Sequence, residues 1–320
     1  MSAAKKKPSA SPAAAWVRNL FAWLFGPGRH PVILVLIVGL FIVGAWFAWI
    51  KFRPWILGWP EYRIGPEQVE ITPQPPWIPQ SDIRAEVFRN PTLDGRLSIV
   101  DDDLAERIAN AFARHPWVAR VEHVTKRYIS VKVELVYRKP VCMVELPGGG
   151  WLPVDVEAVL LPTGDFTEVE AARYPRLLGV DRAPTGLVGS RWGDARVIGG
   201  AEIAAALGDV WEPMRLHYIE PLAADPSVSA PGDAGRPSTP DGFAGRSAEP
   251  FFTLVTHSST HDGTRILWGY APGANRLGEP PAAEKVARLK RYVADHDSLD
   301  GPQSVQQVLD VRTLPPPVRP

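Results

Sequence analysis

Residues Pro31 to Ile50 read PVILVLIVGLFIVGAWFAWI, twenty positions without one charged side chain. Twenty residues at about 1.5 Å per residue span roughly 30 Å, the thickness of a bilayer's hydrocarbon core. A helix satisfies its own backbone hydrogen bonds, which lipid demands. Trp46, Trp49, Trp55 and Trp59 cluster toward the C-terminal end, where amphipathic rings favour the headgroup layer. Arg29 and His30 close one end, Lys51 and Arg53 the other. The stretch is too long for the apolar core of a signal peptide, and no small-residue cleavage motif follows it. A single transmembrane helix over 31–50 is therefore expected. Ala13–Phe25 is shorter and carries Arg18, which points to an interfacial helix. Lys5, Lys6, Lys7, Arg18 and Arg29 precede the span, against Lys51, Arg53 and Arg63 after it. That bias places the basic tail of residues 1–30 in the cytoplasm and the rest outside it.

Composition narrows the remaining 270 positions or so. The chain has 320 residues, with 35 Lys and Arg against 35 Asp and Glu. A balanced charge gives no concentrated basic field for nucleic acid. Pro at 34 and Gly at 27 predict long irregular connections. Cys142 is the one cysteine, which rules out an intrachain disulfide and a Cys-based zinc or iron–sulfur site. It sits in the apolar run Val141–Val144, where a free Cys packs as a small apolar residue.

After the anchor the pattern is strand, helix, helix, strand, strand. Val69–Thr72 reads as a first strand and Ile78–Phe88 as a short helix. In DDDLAERIANAFARHPW, Asp101 or Asp102 is the expected N-cap, Leu104, Ile108, Ala111 and Phe112 form one helical stripe, and Pro116 ends the helix. Val118–Thr125 and Ile129–Tyr137 follow as strands. In the second, Ile129, Val131, Val133, Leu135 and Tyr137 alternate with Ser130, Lys132 and Glu134. Trp117 reads as an apolar anchor at the helix–strand junction. Gly148–Gly149–Gly150 reads as a hairpin turn needing positive φ.

Further on, Ala201–Leu207 reads as a helix. Met214–Ile219, Phe251–Ser258 and Thr264–Trp268 read as strands. Ala282–Ala294 reads as a helix and Val305–Arg312 as a last strand. Residues 222–250, built of Ala, Pro, Ser, Gly and Asp, have no apolar period and read as a disordered insertion. The tail, residues 313–320, is Pro-rich.

His115–Pro116–Trp117–Val118 before a strand, then a hairpin into Tyr137–Arg138–Lys139–Pro140–Val141, resembles the POTRA domain of the FtsQ/DivIB cell-division family. Trp151–Leu161 is similar to a hairpin of the family, with Asp155 matching. The sequence departs from the family with Tyr137 for Glu, Cys142 for Ala, and Ala158 for Gly in that hairpin. Tyr174–Gly179 and Asp310–Val311–Arg312 are similar to two further family steps. The resemblance implies an α+β protein: a single transmembrane helix over 31–50, a POTRA-like β-α-α-β-β domain over 51–140, then a C-terminal antiparallel β-rich domain with helices over 141–312. It implies a single-pass type II protein of the cell inner membrane with its C-terminal domain extra-cytoplasmic. It also implies a non-enzymatic scaffold recruiting bitopic FtsB- and FtsL-like partners, without cofactor or small-molecule substrate. A POTRA-containing envelope assembly or transport factor, receiving extended polypeptides, is the alternative.

No nucleophile motif, Walker loop or H-E-x-x-H occurs. His257, His261 and Asp262 lie at an expected hairpin turn and read as solvated rather than metal-ligating. Asp101–Asp103 read as helix capping rather than a cation site. The expected partner site is the final strand, read as a sheet edge. Gln307, Leu309 and Val311 share the face expected to pack on the core; Gln306, Val308, Asp310 and Arg312 share the face offered to a partner, with Arg312 placed to meet an acidic residue.

Overall fold

The computed structural model describes residues 30–57, 62–89, 93, 97–226, 249–257, 263–274, 277–300 and 307–314. The basic tail, Ala13–Phe25, Trp59, most of the expected insertion (227–248), His261, Asp262, Gln306 and residues 315–320 lie outside these. The chain divides into two compact units.

The first unit comprises Met1–Arg63 and Ser98–Asp101. Its main element is α1 (His30–Leu57), a 28-residue helix. Leu34–Arg53 has a mean hydropathy of 2.2 and none of it is buried. Large apolar side chains from Leu34 to Phe52 are exposed all around the helix. Such a helix has no polar face to turn toward water. It is the one described helix long and apolar enough to cross a membrane. The unit also holds a bridge between Arg63 and Ser98, and the carboxylate of Asp101 accepts the Ser98 N–H over 3.1 Å. Asp101 thus closes a turn with Ser98, and the N-cap position of the following helix falls to Asp103 rather than to the expected Asp101 or Asp102.

The second unit comprises Ile64–Leu97 and Asp102–Pro320 and contains two sheets. The first follows the order β1 (Val69–Ile71), α2 (Ile83–Phe88), α3 (Leu104–Ala113), β2 (Val118–Lys126), β3 (Val131–Tyr137). Its strand order is β1-β3-β2, with β1 parallel and β2 antiparallel to β3. Leu104, Ile108 and Phe112 of α3 are buried, with Ile83 and Val87 of α2 and Val131, Val133 and Leu135 of β3. Asp103 stands at the N-cap of α3 without a side-chain bond to it. Ile129, expected in β3, is 69% exposed and precedes the strand.

The second sheet runs β4 (Pro140–Glu145), β5 (Trp151–Asp155), α4 (Glu168–Ala171), β6 (Arg176–Leu177), α5 (Ala195–Leu207), β7 (Leu216–Leu222), β8 (Phe251–Thr256), β9 (Arg265–Gly269), α6 (Ala282–His296), β10 (Val308–Asp310). Its seven strands lie in the order β10-β9-β8-β7-β6-β4-β5. The sheet is mixed, which corrects the expected antiparallel arrangement. The pairs β4–β6, β6–β7 and β9–β10 are parallel. Each is joined through a segment carrying a helix (α4, α5 or α6), and a parallel pair requires such a return crossover. Leu222 belongs to β7 and residues 223–226 are described, so the expected insertion begins later than residue 222.

The core gathers Cys142, Val144, Val154 and Leu177 with Ile219, Leu254, Ile266 and Trp268 from the strands, and Val197, Ala201 and Leu289 from α5 and α6. Helix α5 starts six residues before the expected Ala201, because Asp194 caps it by accepting the Arg196 N–H over 2.9 Å. A Cβ on Gly200 would lie 2.7 Å from the Leu177 side chain, so glycine lets α5 press onto β6.

Candidate functional site

The two ends of the seven-stranded sheet are built differently. At the β5 end, Pro153 lies within the strand. Val154 bridges Leu160, and Leu161 donates to the Pro153 carbonyl over 2.9 Å. Proline and a covering segment both blunt an edge. At the other end, β10 pairs, among the described residues, with β9 alone, in unbroken register from Val308↔Arg265 to Asp310↔Leu267.

The Arg265 N–H donates to the Gln307 carbonyl over 2.9 Å, and the Val311 N–H donates to Leu267 over 3.3 Å. In a parallel ladder the residues that bond one neighbour alternate with those that face the other side. Residues 307, 309 and 311 thus bond inward, and the backbone groups of Val308 face the open edge. Leu309 and Val311 are buried in the core cluster, as expected of their face. Val308 is 60% exposed. The strand ends at Asp310 rather than Arg312, because the Thr313 N–H turns back onto the Asp310 carbonyl.

Arg312 is engaged within the chain. Its Nε donates to Asp310 over 2.9 Å, its Nη1 meets Asp225 at 2.5 Å, and its guanidinium lies 5.1 Å from the Phe251 ring centre. The hydrogen bond to Asp310 raises its pKa beyond the ordinary arginine value despite partial burial. Arg288 on α6 donates to the Arg312 carbonyl over 2.6 Å and holds Glu284 at 2.6 Å. Asp225 was hidden to sequence reading inside a segment read as insertion. Of the four residues expected to meet a partner, Val308 alone combines exposure with outward backbone groups. Asp310 and Arg312 lock the strand's end, and Gln306 lies outside the described residues.

A second concave region, about 730 Å³, is lined by Tyr137, Arg138, Asp155, Glu157, Tyr174 and Trp211 among others. Within it, Arg138 is already paired: its Nη1 lies 2.5 Å from Asp155 and 3.0 Å from Glu157. A smaller pocket holds Lys285, 2% exposed, 2.5 Å from Glu279 and 4.9 Å from the Trp268 ring centre. Burial lowers its pKa, while Glu279 counters that shift. His257 lies ring against ring with His217, centroids 5.0 Å apart. Among the described residues no three His, Cys, Asp or Glu side chains gather as a metal site would require. No protein-family model matches this chain, and no curated protein matches its sequence.

Proposed function

We propose that the chain is a membrane-anchored scaffold of the FtsQ/DivIB type. In this reading α1 is a single-pass type II anchor in the inner membrane, β1 to β3 with α2 and α3 form a POTRA-like domain, and the β10 edge captures a short extended segment of an FtsB- or FtsL-like division partner. The observation that carries the reading is the regular edge at β10, open among the described residues. Val308 presents its backbone there, and an added strand gains main-chain hydrogen bonds together with side-chain contacts. The competing edge, β2, is less suited. Its pairing with β3 is interrupted by register shifts between Val118 and Arg120 and between Val121 and His123. Bulges of this kind discourage edge-to-edge pairing.

Val308→Pro tests the reading. It removes an outward donor while leaving the inward bonds of Gln307 and Val311 in place. Tagged chain purified from membranes should then lose its division partner while its unfolding midpoint stays near the parent's. Capture undiminished in a folded Val308→Pro chain would put the partner elsewhere. The orientation is checked separately: alkaline phosphatase fused after residue 320 should be active, and an inactive fusion would overturn the type II reading.

A further inference from the structure

Strands β2 and β3 are joined by a tight turn that the Arg127 N–H closes by donating to the Ser130 carbonyl over 2.8 Å. Its two central residues are Tyr128 and Ile129. Asn, Gly and Asp usually hold such positions. Here the side chains are large and apolar, 95% and 69% exposed. Nothing in the turn's own geometry requires them, since neither residue has positive φ. Lys126 and Arg127 precede them; Arg127 reaches Glu70 over 3.4 Å in an exposed pair. Such a pair is weak enough to be exchanged for another anion. A tyrosine beside an aliphatic residue, with basic residues adjoining, matches the chemistry of a membrane–water interface.

The register says which end of the sheet this turn occupies. Lys126 pairs with Val131, and Val69 pairs in parallel with Val131. The turn therefore lies at the end of the sheet where β1 begins. Val69 follows Leu57, the last residue of α1, by twelve residues. Twelve residues span no more than about 40 Å at full extension. We infer that the Tyr128–Ile129 tip dips into the outer surface of the bilayer that α1 spans, forming a second, reversible contact that holds the first sheet close to the membrane. The inference rests on reading α1 as a membrane anchor. Two side chains bind a bilayer weakly when free, but a short tether supplies an effective concentration on the order of millimolar.

The full chain in vesicles of phosphatidylcholine and phosphatidylglycerol provides the test. A cysteine at Ile129→Cys carries an environment-sensitive fluorophore. The native Cys142 is fully buried and burial raises its thiol pKa, so it escapes labelling. Ala113→Cys, exposed at the opposite end of the sheet, is the control. The expected result is several-fold brighter, blue-shifted emission at position 129, quenched by spin-labelled acyl chains, with no such change at 113. Tyr128→Ser in the labelled chain should weaken that quenching. A water-like probe at 129 in chain that resists an alkaline wash would overturn the inference while leaving the anchor intact, and would favour a protein contact for the tip. Quenching unaffected by Tyr128→Ser would also overturn it, because the probe itself would be driving insertion. Chain lost in the alkaline wash would overturn the anchor, and the tip with it.

Discussion

The indole Nε1 of Trp117 donates to Oδ2 of Asp165 across 2.9 Å, in a site where both residues are buried. Trp117 adjoins β2 of the first sheet, while Asp165 follows β5 of the second. The same carboxylate accepts the N–H groups of Gln80 and Ser81 at 3.1 and 2.8 Å and the Ser81 hydroxyl at 2.6 Å. One charged group thus pins three distant parts of the chain together. Charge-assisted bonds of this kind are the strong ones.

Trp117 and Asp165 should therefore be energetically coupled. Trp117→Ala should cost about 3–5 kcal/mol, the range for truncating a buried tryptophan. Trp117→Phe keeps most of the apolar contact but strips one donor from Asp165, a loss of about 2 kcal/mol. Unfolding of the detergent-solubilised chain measures both. If Trp117→Phe and Asp165→Asn proved additive in a double-mutant cycle, the bond would contribute nothing.

Burial alone would raise the Asp165 carboxyl pKa, but hydrogen bonds from Ser81 and Trp117 outweigh it and hold it below the ordinary carboxylate value. The sign follows from linkage. A group depressed in the folded state stabilises fully above its unfolded value, about 3.9, and loses that contribution as pH falls through the folded value. The unfolding midpoint should fall below about pH 4, and Asp165→Asn should flatten that part of the profile while lowering the midpoint at pH 7. An unaltered profile in Asp165→Asn would assign the acid sensitivity to other carboxylates.

Ala158 occupies left-handed backbone at φ 57 and is fully buried. Asp155 makes the turn by accepting the N–H groups of Glu157 and Val159 at 3.0 and 2.8 Å. Ala158→Gly relieves strain of about 1 kcal/mol but loses a buried methyl worth a similar amount. Stability should therefore change little. Ala158→Val adds a branched side chain where neither φ nor space suits it and should cost about 3 kcal/mol. Equal midpoints for the Gly and Val variants would mean that the turn relaxes freely.

The expected insertion is open to a deletion experiment. Removing 227–248 and closing with a short glycine-containing turn should leave stability within about 1 kcal/mol, since closure entropy varies slowly with loop length. Extending the deletion through Asp225 removes a partner of Arg312 and should lower the midpoint visibly. Identical behaviour of the two deletions would show that Asp225 contributes nothing.

What the sequence made legible was whatever repeats locally. The stripe Leu104, Ile108, Phe112 and the alternation Val131, Val133, Leu135 are set by the period of one element, and all six side chains are buried. The three glycines of the β4–β5 turn all have positive φ, as a hairpin there required. The parallel pairs were not legible, because strand direction is decided by crossovers rather than by side-chain pattern. The short β6, two residues long, has no period to read. At the candidate site, the inward face of Leu309 and Val311 followed from alternation. The commitment of Arg312 did not, because its partner Asp225 lies 87 positions away.

That commitment has a measurable consequence. Arg312 has 18% of its side chain exposed, and Asp225 and Asp310 have 11% and 21%. Removing the cation takes from two partly buried carboxylates the charge they share, so Arg312→Ala should cost about 2–4 kcal/mol. Loss of partner capture together with a lowered midpoint in that variant would reflect a loosened strand end. Pairing the change with Asp225→Asn removes one stranded charge and should recover part of the loss. Val308→Pro, by contrast, should separate capture from stability. If Arg312→Ala left the unfolding midpoint unmoved and still abolished capture, Arg312 would be a partner contact after all, and its pairing with Asp225 and Asp310 would have to open when the partner binds.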